Sequence, residues 1–577
     1  MRRISLLTMM CCIAFLAVSQ KKAPKWMEKQ RKAIISITTY GKDNKVLHTG
    51  NGFFISESGE ALAGYSLFKG AERATATDTE GKTYPVTTIM GADGLYDVIK
   101  IQVHVPKKIP FFSLATEPLA NGSNVYLVLF TTEKTATFKE GTVTEVSKLK
   151  DPYSYYKTSI ALESAQWINA PLLTEEGRVV GLMQEDAAGK KDVSYAVSAG
   201  YVNSLEVNSM SLLSATYTDI GIRKAWPKEV EQAQISLFLL KGSQDAKNYL
   251  ETINDFIAAF PHHSEGYQSR ASLYAYSRAE LAGTPAEEQL YLDRALEDLN
   301  TAAQYIPKKS DALYNRARLI FDIANGDTTI TDKNWTVAAA MTLLQEAIDE
   351  EDSPVYRQLE GDMFFSLGAY EPAYESYMKV TESDMASASS YYLAAKAKEN
   401  IPGTNISDII ALLDKAIDMG KENPTEDTFA YLLERIDFKM KLTLYEEAIT
   451  DYDLYAEMLG GRVNHSFYYY REQAKFRMGD FAGALADIQE ALKAVPLNPN
   501  YLAEEASVYI RLEKYPEALQ SIDKAIEQAP DFASCYRLKG VAYVRTSQKN
   551  KACEAFQKAQ ELGDPVVARL IKEHCGE

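Results

Sequence analysis

The chain has 577 residues, 46% of them hydrophobic and 24% charged, the balance of a globular protein rather than a disordered one. That length exceeds what a single hydrophobic core serves, so two or more domains are expected. A formal net charge of −17 excludes a general nucleic-acid binder, which needs a basic face to displace phosphate counterions.

The chain opens with "MRRISLLTMMCCIAFLAVSQ". Arg2 and Arg3 precede an apolar run from Ile4 to Val18, and Ala17 and Ser19 supply small residues ahead of a cut before Gln20. This is the pattern of an export signal over residues 1–19. The run is short for a membrane span, and a lipid anchor on Cys11 or Cys12 fits worse, because both lie inside the apolar run. An exported protein with no membrane span after cleavage is expected, retaining Cys535, Cys553 and Cys575.

Up to about residue 206, short β-rich runs such as "AIISITTY", "NVYLVLF" and "GRVVGLM" alternate with turns such as "GKDN" and "ANGS". Many short strands at this spacing predict an all-β barrel or sandwich. The stretch "TYTDIGIRKAWPKE" reads as a linker, over residues 216–228, and helical periodicity takes over from residue 229. Near the end a repeat can be counted: Ala484, Ala518 and Ala552 step by 34 residues, as do Ala491, Ala525 and Ala559. Alanine recurs there because paired helix backbones approach closely, and Pro496 and Pro530 close the second helices on the same step.

That period and its alanines resemble the tetratricopeptide repeat, which stacks helical pairs into a solenoid with a concave groove. "QLEGDMFFSLGAYEPAYESYMKV" carries the same plan through Gly361, Phe364 and Ala373, and looser copies run back to residue 229. The solenoid is expected over 229–563, with a capping helix over 564–577. Cys553 sits beside the packing Ala552 and Cys575 ends the cap, so a Cys553–Cys575 disulfide is expected, with Cys535 free. The sequence leaves Cys535–Cys553 open.

Arg477, Arg511 and Arg545 also recur every 34 residues, where this repeat family borders its groove, and Tyr469 and Arg537 fall at a second groove-facing position. Guanidinium groups grip carboxylates in pairs, so these five residues would suit an acidic or C-terminal peptide. The plainer reading is arginine favoured by the helix C-terminal dipole. Adjacent His262 and His263 lie in a turn without cysteine or carboxylate company, and no metal, nucleotide or other cofactor motif is present.

Residues 30 to 206 resemble the trypsin-like serine proteases, closest to the HtrA/Do-type bacterial branch. The resemblance rests on "TGNGFFISESGEALAGYSLFKGA", on "DTEGKTYPVTTIMGADGLYDVIKIQV", on "INAPLLTEEGRVVGLM" and on "VSYAVSAGYVNSL". It implies a double β-barrel over 20–215, a bacterial origin and a periplasmic or cell-envelope location. No PDZ segment is recognisable after the barrels, where the helical repeats begin instead.

Carried over residue by residue, the triad positions are Ser66 for the histidine, Asp97 for the aspartate and Ile168 for the serine. Serine cannot act as a base near neutral pH, and isoleucine offers no nucleophile. Gln166, Asn169 and Ala170 replace the family's glycines around the oxyanion hole, and His48 and His104 lie away from the triad positions. The resemblance therefore implies a pseudo-protease, a scaffold with protein or peptide partners. The rival is an active peptidase rearranged around Ser164, and a third reading makes the barrels a structural cap for the repeats.

Overall fold

The computed structural model describes residues 23–576, so the export signal expected over 1–19 lies outside the described residues. The chain divides into two compact units, up to Tyr305 and from Ile306.

The first unit begins with two closed six-stranded barrels. The first contains β1 (Ile34–Tyr40), β2 (Val46–Phe54), β3 (Glu60–Ala63), β4 (Arg73–Thr77), β5 (Thr83–Asp93) and β6 (Val98–Val103), joined in the order β1-β2-β3-β6-β5-β4. The second contains β7 (Asn124–Leu129), β8 (Thr137–Lys150), β9 (Tyr153–Thr158), β10 (Pro171–Leu173), β11 (Val179–Gln184) and β12 (Ser194–Ser198), in the order β10-β11-β12-β9-β8-β7. Strand alternation sorts the apolar side chains. Ile35 and Ile37 fill the first barrel, whereas Ile34, Phe53, Leu62 and Val98 turn outward and share a core with Val128, Leu173, Leu182 and Val197 of the second. Closure satisfies every edge, and the shared core fixes the loops that meet between the barrels.

The expected linker over 216–228 is instead strapped to the first barrel. Tyr217, Ile220 and Ile222 are buried in its core. Ile89 N–H donates to the Arg223 carbonyl and Ala225 N–H donates to the Ile89 carbonyl, both at 2.8 Å. The polar surface of "TYTDIGIRKAWPKE" conceals these three inward side chains. Helices α1 (Val230–Lys241), α2 (Ala246–Ala259), α3 (Ser264–Tyr276) and α4 (Pro285–Ala302) also belong to this unit.

The second unit is all-α and built from sequential pairs. Its early helices are α5 (Lys309–Gly326), α6 (Val337–Glu350), α7 (Pro354–Ser366), α8 (Tyr370–Thr381), α9 (Ala388–Glu399) and α10 (Ile406–Gly420). Then follow α11 (Glu426–Lys441), α12 (Tyr445–Met458), α13 (His465–Met478), α14 (Phe481–Ala494), α15 (Pro499–Arg511) and α16 (Tyr515–Gln528). The last are α17 (Ala533–Arg545), α18 (Lys549–Glu561) and α19 (Val567–His574). The six alanines on the 34-residue step are all 0% exposed, in keeping with their place at the closest helix approach. Gly361 and Gly540 hold the matching place on first helices; a Cβ there would collide with the rings of Tyr377 and Phe556. At the end, a disulfide joins Cys553 to Cys575, Cys535 is a buried free thiol, and Val567 packs on Ala552, Phe556 and Ala559. Among the described residues, no helix is long and apolar enough to cross a membrane.

Candidate functional site

Two turns meet between the barrels. β3 ends at Ala63, and a 3-10 turn over Tyr65–Phe68 follows Gly64. Tyr65 and Phe68 are buried, which leaves Ser66 exposed between them. Asp97, in left-handed backbone with φ 51° immediately before β6, reaches that turn. Ser66 N–H donates to Asp97 Oδ1 at 2.6 Å and the Ser66 hydroxyl donates to Oδ2 at 3.1 Å. The carboxylate thus receives a backbone and a side-chain donor from one residue.

The second turn runs from Ser164 to Ala170. A 3-10 turn over Ala165–Trp167 is capped by the Ser164 hydroxyl, which accepts from Gln166 N–H at 3.3 Å. Trp167 N–H donates to the Ser164 carbonyl, Ile168 N–H to that of Ala165, Asn169 N–H to that of Met183 and Ala170 N–H to that of Trp167. Every N–H from Gln166 to Ala170 therefore has an acceptor within the chain. Asn51 on β2 fixes the opposite polarity: its Nδ2 donates to the carbonyls of Gln166 at 2.6 Å and Ile168 at 2.8 Å. An oxyanion hole needs free N–H groups aimed at one point. Here the donors are turned into the fold and the carbonyls are held by Asn51.

Side chains follow the same arrangement. Trp167 is buried in the second barrel's core with Ile160, Leu162, Val180 and Met183, and Lys139 Nζ lies 5.1 Å from its ring centroid. Ile168 is half-buried after the 3-10 turn. Asn169, at φ 62°, rests its amide against Gly64 in the Ser66 turn, and its Oδ1 is buried without a hydrogen-bond partner. The structure thus brings Ser66 and Asp97 together and sets Asn169, rather than Ile168, against that turn. His48 on β2 and His104 just after β6 are exposed.

The five arginine and tyrosine positions of the repeats fall into different surroundings. Arg477, Arg511 and Arg545 are exposed, and Arg511 lies over the rings of Phe481 at 5.0 Å and Phe476 at 5.9 Å. Arg537 is paired with the buried Asp564 at 2.9 Å. Tyr469 lies 4.9 Å from Tyr501 of the next pair. His262 and His263 do not act together: His262 meets the Tyr305 hydroxyl, while His263 caps α3 and contacts Gln234.

A different arginine set is the one the fold organises, and the sequence reading missed it. Arg435 on α11 grips Asp451 on α12 with two nitrogens, at 2.9 and 2.7 Å, and reaches back to Asp414 on α10 at 2.7 Å. Arg471 on α13 repeats this with Asp487 on α14 and Asp453 on α12. Arg270 on α3 does the same with Asp298 on α4 and Asn254 on α2. The signal was present as arginine and aspartate 16 residues apart in two successive pairs. Glu472, next to Arg471, is 0% exposed with both carboxylate oxygens unpartnered.

Comparison with known proteins agrees with these two architectures. Residues 50–182 match the family model of the trypsin-like peptidase domain, and residues 473–531 and 503–565 match that of the tetratricopeptide repeat. Hsp70-Hsp90 organizing protein 2 of Arabidopsis thaliana is 32% identical over 241 residues, which cover 37% of this chain and 42% of that protein. The heat shock protein sti1 homolog of Schizosaccharomyces pombe is 31% identical over 132 residues, covering 22% of this chain and 21% of its own. The chain thus spans less than half the length of these relatives. The active form of the Rv3671c protease from M. tuberculosis matches at 22% identity with a TM-score of 0.26, over 30% of this chain and 80% of that one. The chain carries a trypsin-like peptidase domain followed by tetratricopeptide repeats.

Proposed function

We propose that this protein is an exported, non-catalytic interaction protein. Its trypsin-like domain is a pseudo-protease, and its helical repeats bind segments of other proteins. The observation that carries this reading is the loop Gln166–Ala170, whose N–H groups are all bonded within the chain, opposite a Ser66–Asp97 pair that holds no base. Acyl transfer needs a nucleophile, a base and donors for the developing oxyanion, and the residues at those places supply none of the three. Export to the periplasm or cell envelope rests on the charged and apolar start of the chain. Relatives of the helical part are named for organising Hsp70 and Hsp90, which supports a protein as the partner.

The test is turnover of an unfolded substrate such as casein by the full chain, beside the double substitution Ser66→His with Ile168→Ser. Neither protein is expected to exceed the background, because the loop N–H groups remain engaged. Cleavage by the natural chain that is lost on Ser164→Ala would replace this reading with that of a rearranged peptidase. In parallel, crosslinking of the tagged full chain in its host should recover protein partners.

A further inference from the structure

In several repeat pairs the first helix packs a small residue against its second helix, as Gly361 and Gly540 do. On the 34-residue step this place is Ala506 in α15 and Gly540 in α17, but Glu472 in α13. Phe556, sixteen residues on, faces Gly540, and the residues sixteen on from Ala506 and Glu472 are Ile522 and Ile488. A carboxyl in such a seam is costly unless bonded, since burial removes its water. Glu472 is nonetheless 0% exposed, and neither oxygen has a partner.

Its surroundings supply carboxylates, and no cation pairs with it. Burial first, then Glu504 on α15 and Asp487 on α14, push the Glu472 carboxyl up to about 8. Asp487 is already held by Arg471 and Lys475, at 2.6 and 2.8 Å. Glu504 is half-buried, and burial raises its carboxyl against the pull of Arg477 and Arg537. Of those two, Arg537 is bound to Asp564. Tyr469, half-buried on α13, has its hydroxyl raised by burial and then by Glu504 and Glu472. The Tyr469 ring lies 4.9 Å from that of Tyr501 on α15, and Glu472 and Glu504 each follow three residues later on the same helix face, so two carboxyls and a tyrosine ring converge where α13 meets α15.

We infer that Tyr469, Glu472 and Glu504 form a site for a cationic side chain, lysine or arginine, of a bound peptide. This rests on the reading of the repeats as peptide binders and reverses the charge expected from the arginine positions. The half-exposed Tyr469 and Glu504 receive the cation at the rim, and Glu472 turns to it as the missing partner. An ammonium or guanidinium suits a carboxylate and an aromatic face together. The net charge of −17 favours the approach of a basic segment. Because the empty site holds Glu472 protonated, binding releases its proton, and affinity should rise with pH from 6 to 8.5.

The experiment uses the full chain and two labelled peptides, acetyl-(Ala-Lys-Ala-Gly)3-amide and its glutamate counterpart, with binding read by fluorescence anisotropy. The lysine peptide should bind about tenfold tighter than the glutamate peptide, equivalent to about 1.4 kcal/mol. Glu472→Gln with Glu504→Gln should erase that preference and its pH dependence. Glu472→Ala, which restores the small residue found at Ala506, guards against a folding defect and should also remove the pH dependence. Equal binding of both peptides, or a lysine preference unchanged in the variants, overturns this site while leaving peptide binding in place. Binding of neither peptide at millimolar concentration overturns both.

Discussion

The interbarrel loop and the α13–α15 seam treat buried polar groups in opposite ways. Around Trp167, each N–H from Gln166 to Ala170 finds an acceptor, and Asn51 takes two of the loop's carbonyls. Around Glu472, a whole carboxyl is buried with none. A loop whose N–H groups are all satisfied has no backbone donor left for an oxyanion, although Asn169 Oδ1 stays unpartnered there, whereas a wholly unsatisfied carboxyl keeps the larger unmet demand. The proposed peptide site accordingly lies in the helices rather than in the interbarrel loop.

Three substitutions sharpen or break this contrast. The largest effect is expected at Arg471. Replacing it by Ala leaves Asp487, 4% exposed, with Lys475 alone, and breaking such a buried pair costs about 3 kcal/mol. Urea unfolding followed by helical circular dichroism should show it as an earlier transition; an unchanged midpoint would mean that the arginine clamp is ornamental. Asn51→Ala should come next. It frees the carbonyls of Gln166 and Ile168 at a site 7% exposed, at a cost of about 2 kcal/mol, and should make amide exchange in that loop measurably faster. Unaltered exchange would count against a loop locked by Asn51.

The smallest effect at any one pH step, a slope rather than an offset, is that of Glu472→Gln, and its sign follows from linkage. The native carboxyl titrates near 8, well above an unfolded glutamate, so between roughly pH 4.5 and 8 the native state binds the extra proton. Stability should fall as pH rises through that window, by at most about 1.4 kcal/mol per pH unit from this group. The glutamine variant lacks this slope. Melting temperatures of the two proteins at pH 5 and pH 8 check it, and parallel curves would deny Glu472 its buried, unpartnered state.

Much of this architecture was legible in the residues. Alternating strands such as "AIISITTY" announce the barrels because one face must be buried and the other turned away. The six stepped alanines announce the helical pairs because nothing larger fits their contact. What could not be read is where polar groups find their partners. Arg477, Arg511 and Arg545 advertise a ladder by spacing, yet Arg511 lies over Phe481, while Arg435 and Arg471, 36 residues apart, escape a search at 34 and carry the bonded network. The strap at 216–228 was hidden for a similar reason: its hydrogen bonds run to Ile89, more than a hundred residues earlier in the chain.

The back-reaching arginines also give the helical array a direction. Arg435 and Arg471 are only 11% and 16% exposed, whereas the carboxylates they reach backward, Asp414 and Asp453, are 48% and 60% exposed. When a later pair opens, the aspartate it abandons is simply rehydrated. When an earlier pair opens, a largely buried guanidinium in the next pair loses a ligand it cannot replace with water. The α10–α11 and α12–α13 junctions are therefore lopsided, with a solvated carboxylate on the earlier side and a covered guanidinium on the later one.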